Sequence, residues 1–273
     1  MTRKTSVASF TPMFRPSKVL AKIRAGGVAR ICSTGHKLPF YPSVAAHFGY
    51  DGVWVCAEHN AWDARECEAM LLQHRLAGID CIWRTPTLEK SGIARLLEDG
   101  ATGLMFPHVS TVEKARALVE HAKFPPLGER GLDGGGLDAS HWVGRPADYL
   151  EKANSETFLV AQIETPLAVA NVDAIAAVPG LEILFIGPGD LSLRLGCGAS
   201  VQDAKLRGAV ETVAAACRRQ GKAWGMPAGS IADAKIVVDL GGQFLAFGSA
   251  FWAIRTHLDE CAAQLDALLG KPA

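Results

Sequence analysis

The sequence predicts a (β/α)₈ barrel, and three observations carry that expectation. Eight short apolar runs, each bounded by Gly, Pro or polar residues, are spread along the 273 residues. Segments with helical periodicity lie between them, and most successive run ends are 22 to 39 residues apart, the spacing of βαβ repeats. No G-x-G-x-x-G follows the first run, which removes the chief sign of an open dinucleotide-binding sheet.

In chain order the runs are "ARICS" (29–33), "GVWVC" (52–56), "DCIWR" (80–84), "GLMFP" (103–107), "FLVAQIE" (158–164), "EILFIG" (182–187), "KAWGM" (222–226) and "QFLAFG" (243–248). Near-continuous apolar character is what strands covered on both faces of a parallel sheet show. After the second run, "DARECEAMLLQHRLAG" opens at Asp63, an N-cap residue, and stops at Gly78. "IARLLED" reads as a helix that ends near Glu98, and "STVEKARALVEHAK" starts with the capping-box pattern Ser110-x-x-Glu113. A long connection then includes "PPLGERGLDGGGLDASHW" (125–142). Loops of that length inside a compact domain are usually lids or binding loops, so it is expected to help choose the substrate. "DAKLRGAVETVAAACRRQG" ends at glycine, as does "DECAAQLDALLG". The last segment, 249–269, puts Phe251, Ile254, Leu258, Cys261, Leu265 and Leu268 on one stripe, which covers its own barrel or a neighbouring subunit. One barrel domain over 1–273 is expected, with 1–20 as an N-terminal extension and 249–273 as a C-terminal helix.

Bulk composition narrows the class of function. With 49% hydrophobic residues the chain can bury a large core. Lys and Arg number 28, Asp and Glu 28, and no long basic run occurs, which argues against a nucleic-acid surface. "MTRKTSVASFTPMFRPSK" lacks the apolar core of a signal peptide, and no apolar stretch approaches membrane-span length. The seven cysteines are scattered without a C-x-x-C, so neither a zinc site nor a disulfide framework is expected, and a cytoplasmic setting is.

Chemistry in such a barrel collects at the C-terminal ends of the strands. Glu58 and His59 follow the second run, and Arg84 ends the third. His108 follows the fourth, Gln162 and Glu164 end the fifth, and Asp190 follows "GPG" after the sixth. Two carboxylates converging from neighbouring strands repel unless a cation lies between them. Glu164 and Asp190 are therefore the candidate ligands of Mg²⁺, Mn²⁺ or Co²⁺, against the alternative that each caps a helix or pairs with an arginine. The amides of Gly189 and Asp190 could hold a carboxylate in an anion-binding nest. Arg84 needs an anion, either substrate or Glu58. His59 is a candidate base that Glu98 could orient, His108 lines the pocket at most, and Cys56 reads as a plain buried thiol.

"QIETPLAVANVDAIAAVPGLEILFIGPGDLSLRLG" (162–196) closely resembles the signature of the HpcH/HpaI aldolases, the metal-dependent pyruvate aldolases. The likeness extends through "DGVWVCAEHN", "CIWRTPT", "LLEDGATGLMFPHV" and "KFPPLGERG". It implies a barrel whose last helix is exchanged between subunits, usually in a hexamer built from dimers. Glu164 and Asp190 would ligate the metal, with Gln162 and Glu58 near it and its waters. The Gly189 and Asp190 amides would grip pyruvate, Arg84 would steady the C2 oxygen, and His59 with Glu98 would form the acid–base dyad. No Schiff-base lysine and no nucleotide is expected. One position departs: the family usually has D-x-E-H, and this chain has Cys56-Ala57-Glu58-His59. The activity so implied is reversible cleavage of a 4-hydroxy-2-oxo acid to pyruvate, or a related 2-oxo acid, and an aldehyde. The alternatives are an enolate lyase or hydrolase on a malyl-CoA-like or phosphonate substrate, and a non-catalytic barrel with a degenerate site.

Overall fold

The computed structural model describes residues 15–85, 87–143 and 145–270, so most of the expected N-terminal extension and the last three positions of the C-terminal segment lie outside the described residues. Eight parallel strands close on themselves in sequence order, β1 to β8. They are β1 (Ala29–Thr34), β2 (Gly52–Cys56), β3 (Asp80–Arg84), β4 (Gly103–Phe106), β5 (Phe158–Ile163), β6 (Ile183–Ile186), β7 (Ala223–Pro227) and β8 (Phe244–Ser249). Each of the eight apolar runs is a strand, displaced by at most one residue. The helices are α1 (Lys18–Arg24), α2 (Tyr41–His47), α3 (Ala64–Ala77), α4 (Lys90–Glu98), α5 (Val112–Ala122), α6 (Tyr149–Glu156), α7 (Pro166–Ala170), α8 (Val172–Ala176), α9 (Pro188–Leu195), α10 (Ala204–Gln220), α11 (Ile231–Asp239) and α12 (Ala250–Leu269).

Two apolar layers follow from the period-2 geometry of the strands. Ile31, Ile82, Met105, Phe158, Val160, Ile183, Phe185 and Phe244 fill the barrel interior. Val53, Val55, Cys81, Trp83, Leu104, Leu159 and Leu184, one position out of phase with that set, pack against the surrounding helices. The parity continues past the filled interior. If Ile82 points inward then so does Arg84, and Val160 carries Gln162 with it.

The N-terminal rim is plugged by α1, whose Val19 and Leu20 join the interior layer. Of the expected N-terminal extension over 1–20, residues 15–20 thus belong to the barrel's floor. Asp80, fully buried at the start of β3, holds the plug: it accepts from Ser17 Oγ at 2.6 Å, Val19 N at 2.9 Å and Arg15 Nη2 at 2.7 Å. Helix α3 has the expected Asp63 cap, in a full capping box with Glu66, and ends at Gly78 with φ 62°. Helix α5 starts one residue later than the sequence pattern suggests. Thr111 is its cap, accepting from Lys114 N, while the Ser110 hydroxyl is 2.9 Å from the Thr165 hydroxyl.

The long connection does not lie over the mouth. It leaves the C-terminal end of α5 and returns to the N-terminal end of β5, so it begins and ends at the rim opposite the strands' C-terminal ends. There it builds a small core of Phe124, Ala139, Tyr149 and Ala153. Arg130 stacks on Phe124 at 4.5 Å and pairs with Asp138 at 2.6 Å, which also accepts from the Tyr149 hydroxyl at 2.6 Å. The expectation that this loop helps choose the substrate is not met within one chain, where the loop packs beside the N-terminal rim against α3, α4 and α6.

Candidate active site

At the C-terminal mouth the strand parity delivers its polar residues to one place. Arg84 ends β3, is 8% exposed, and lies over the Trp54 ring at 4.8 Å. Its Nη1 is 3.2 Å from Glu58 Oε2 and donates to Gln162 Oε1 at 3.4 Å. Both partners that the sequence left open for this cation, substrate and Glu58, are compatible with that geometry. Nη2 donates to Cys56 Sγ at 2.8 Å. Cys56 is half-buried and in contact with the arginine, which corrects the expectation of a plain buried thiol.

Glu164 is 3% exposed, just beyond β5. Burial raises its carboxyl pKa, the His108 amide and ring oppose this, and the nearby Glu58 and Asp190 carboxylates push it further up. Gln162 Nε2 donates to Glu164 Oε2 at 3.3 Å. The glycine of "FIGPGD" that matters here is Gly187, because a Cβ there would collide with the Glu164 carboxylate.

Asp190 sits in the first turn of α9, whose N-cap Gly187 supplies no side-chain cap. The amides of Gly189 and Asp190 are first-turn donors without intrahelical acceptors, and they open toward the mouth because α9 follows the end of β6. The Asp190 carboxylate pairs with Arg194 at 2.6 Å, and that bond lowers its pKa. Both side chains are about four-tenths exposed, 41% and 38%, so the pair is weak and easily exchanged. Among the described residues no ready-made group of three His, Cys, Asp or Glu side chains surrounds a metal position.

His59 is largely exposed, with Nε2 3.6 Å from Glu58 Oε2. His108 is more firmly placed than the sequence suggested. Its backbone is left-handed, φ 54°, a conformation a residue with a Cβ adopts at a cost of roughly 1–3 kcal/mol. Three contacts hold it there: its amide donates to Glu164 Oε1 at 2.6 Å, and Lys114 Nζ donates to the carbonyls of Pro107 at 2.8 Å and His108 at 3.0 Å. The ring then lies between the acids, Nδ1 3.0 Å from Glu164 Oε1 and Nε2 3.6 Å from Glu58 Oε1. Lys114 was invisible to the sequence reading, since nothing in a helix's first turn signals that its side chain reaches back to a strand end.

Glu98 is elsewhere. It closes α4, which descends from the mouth to the start of β4, so it belongs to the opposite rim. It lines a crevice of ≈ 340 Å³ with Glu68, Arg95, Asp99, Asp133 and His141. Burial raises its pKa, opposed by Arg130 and reinforced by Asp138, Asp133 and Asp99. Within one chain it does not meet His59.

On the β1, β7 and β8 side of the mouth a cavity of ≈ 680 Å³ opens, lined by Ser33, Trp54, Pro188, Ala228, Ser249 and Trp252 among others. The mouth thus joins an oxygen-rich acid cluster, a buried guanidinium and uncapped helix amides to a roomy and mostly apolar chamber. Such a set suits the binding of a small anion and the stabilisation of negative charge that develops on it.

Comparison with known proteins agrees with this chemistry. The family described as HpcH/HpaI aldolase/citrate lyase matches residues 38–255. A 4-hydroxy-2-oxovalerate aldolase of Novosphingobium aromaticivorans is 38% identical over 216 residues, 77% of this chain and 79% of that protein. A hydroxypyruvate/pyruvate aldolase of Delftia acidovorans is 34% identical over 214 residues, 78% of this chain and 79% of that protein. Among solved structures, an HpcH/HpaI aldolase from Desulfitobacterium hafniense superposes with a TM-score of 0.85 at 31% identity, covering 93% of this chain and 98% of that one. With the barrel, the site and these relatives in agreement, the chain belongs to the HpcH/HpaI aldolase/citrate lyase family and is a carbon–carbon lyase of the aldolase type.

Proposed function

We propose that the protein reversibly cleaves a 4-hydroxy-2-oxo acid to pyruvate, or a related 2-oxo acid, and an aldehyde, with a divalent cation held by Glu164 and Asp190. The observation that carries this reading is the buried Glu164 carboxylate at the mouth, with Glu58 across the His108 ring and Asp190 on the next strand's helix; burial raises its pKa, and the Glu58 and Asp190 charges add to the rise. Carboxylates so placed gain from a cation between them. The donors are all oxygen, which suits Mg²⁺, Mn²⁺ or Co²⁺. The Asp190–Arg194 pair is exposed enough to open for it at little cost. When bound, the cation supplies Lewis-acid polarisation of the 2-oxo group.

The chain's own residues supply the rest. The Gly189 and Asp190 amides bind the substrate carboxylate at the start of α9. Arg84, stacked on Trp54 and braced by Glu58, directs its charge at the C2 oxygen, where negative charge grows as the carbon–carbon bond breaks. Gln162 and Glu58 orient the acids and the water among them. His59, at the open edge of the mouth, takes the proton of the 4-hydroxyl. The aldehyde occupies the apolar chamber beside Trp54 and Pro188.

His59 and Glu98 lie at opposite rims, so a dyad between them forms only when a neighbouring copy brings its Glu98 to this mouth. Support for an assembly comes from α12. Residues 251–260 are all exposed, and Phe251, Ile254, Leu258, Leu265 and Leu268 are each more than half exposed, at 51–77%. A stripe of that kind on a single chain lacks its cover. We place it against a second copy, in a dimer-based homo-oligomer such as a hexamer. The seven free cysteines support a reducing, cytoplasmic compartment.

The test is pyruvate release from 4-hydroxy-2-oxo acids by the purified protein with Mg²⁺, Mn²⁺ or Co²⁺, beside Glu164→Ala. Chelator should abolish activity, and Glu164→Ala should lower kcat/KM by about 10²–10³-fold, the scale of a lost charge-stabilising group. Chelator-resistant cleavage by the variant would sink the proposal.

A further inference from the structure

Arg84 is unusual among the mouth residues in its company. One arm meets Glu58 and Gln162, at 3.2 and 3.4 Å; the other arm rests on Cys56 Sγ at 2.8 Å; Nε has no partner among the described residues. A buried guanidinium ordinarily gathers carboxylates. Here the side chain is nine-tenths buried, yet one carboxylate is paired with it, and its second arm sits on sulfur.

That contact is imposed by the sheet. Cys56 and Arg84 are register partners on the parallel pair β2 and β3, as are Trp54 with Ile82 and Gly52 with Asp80. Ile82 lies in the interior layer and Trp54 packs against it, so the same parity turns both Cys56 and Arg84 into the mouth. Glu58, by contrast, lies in the loop beyond β2 and reaches Arg84 by side-chain conformation alone. Cys56 is therefore the Nη2 partner whose position the backbone fixes, as β5 fixes Gln162 for Nη1.

We propose that Cys56 is a positioning residue for Arg84: its thiol fixes one arm of the guanidinium without adding a second carboxylate, so that most of the cation's charge stays available to an oxygen of the bound 2-oxo acid. The inference rests on reading this mouth as a 2-oxo acid site. It assigns a role to the one position where the chain departs from the family's D-x-E-H pattern. An aspartate there would hold the arm more strongly, but it would also offset the charge that the substrate oxygen needs. A weak, polarizable sulfur acceptor makes the opposite compromise.

Oxalate, a planar two-oxygen mimic of the 2-oxo acid's reacting face, is the probe. Its Kd is measured by calorimetry on the full-length, cation-loaded protein, together with kcat and KM for cleavage and the Tm of each variant. Cys56→Ala should weaken oxalate binding and lower kcat/KM by roughly tenfold, the effect of losing one bond to a charged group. Cys56→Ser, which keeps a short uncharged acceptor, should recover most of that loss. Cys56→Asp should weaken oxalate severalfold with Tm unchanged. In an Arg84→Ala background the Cys56→Ala change should cost less than twofold, since the residue acts through the arginine. Oxalate affinity in Cys56→Ala within twofold of the parent overturns the proposal. So does an undiminished loss in the Arg84→Ala background, or oxalate bound by Cys56→Asp as tightly as by the parent. A parent protein that binds oxalate in a Cys56-dependent way but cleaves no hydroxy-oxo acid would overturn the proposed function and leave this inference standing; one that does not bind oxalate overturns the inference.

Discussion

Single residues in this chain show their chemistry through what surrounds them. Glu164 and Arg84 were readable as site candidates because each breaks a buried apolar run, and an ionisable group there needs a partner. His108 was not, because its weight comes from a left-handed backbone and from Lys114, six residues on in the first turn of α5, neither of which a sequence pattern encodes. His74 teaches the same lesson away from the site. It is buried on the inner face of α3, its Nδ1 2.7 Å from the Met70 carbonyl, and burial lowers its pKa from 6.5 to about 4. The unfolded chain takes up the proton at higher pH than the folded one does. The neutral imidazole's contribution is therefore complete above pH 6.5 and is lost as pH falls toward 4, by on the order of 3 kcal/mol. His74→Gln, neutral throughout, should flatten the fall of Tm between those pH values. An unchanged slope in the variant would refute the assignment.

At the level of elements, period-2 alternation explains both the core and the mouth. Interior positions on β2, β3 and β5 continue upward into Cys56, Arg84 and Gln162, so one alternation packs the barrel and aims the site. The strands were legible because their runs are apolar on both faces. The role of the long connection was not, since length alone does not tell which rim a loop serves. Its root is Lys123, whose fully buried Nζ donates to the Asn154 carbonyl at 2.9 Å, the Thr157 carbonyl at 2.6 Å and Glu182 Oε1 at 2.8 Å. These bonds tie the end of α5 to α6 and to the start of β6. Lys123→Met should cost about 3–5 kcal/mol in denaturant unfolding, because it leaves the Glu182 carboxylate without its cation. Adding Glu182→Leu should return much of the loss. A single variant destabilised by under about 1 kcal/mol would show the pair to be incidental.

The whole molecule presents an imbalance that one chain does not resolve. Its barrel is sealed below by α1, while α12 carries an uncovered apolar stripe, and Glu98 stands at the rim away from His59. The proposed assembly would answer both, by covering the stripe and by carrying a neighbour's Glu98 to the mouth. Leu258→Asp with Leu265→Asp should therefore shift the protein toward monomer in light scattering and lower kcat together with assembly. Dissociated chains that keep full kcat would separate the helix from catalysis, and a parent protein that is already monomeric would remove the assembly altogether.

By itself the sequence determined the eight strands, their order and the polar residues at their ends, because burial on both faces and βαβ spacing are local properties of the chain. The tertiary structure alone decided which of those residues meet. It put Cys56 beside Arg84 through strand register, folded His108 back between two acids, paired Asp190 with Arg194, and sent Glu98 and the long connection to the far rim. Contact between side chains far apart in sequence depends on register, on rim and on the few backbone angles at a turn, and these are settled only when the barrel closes.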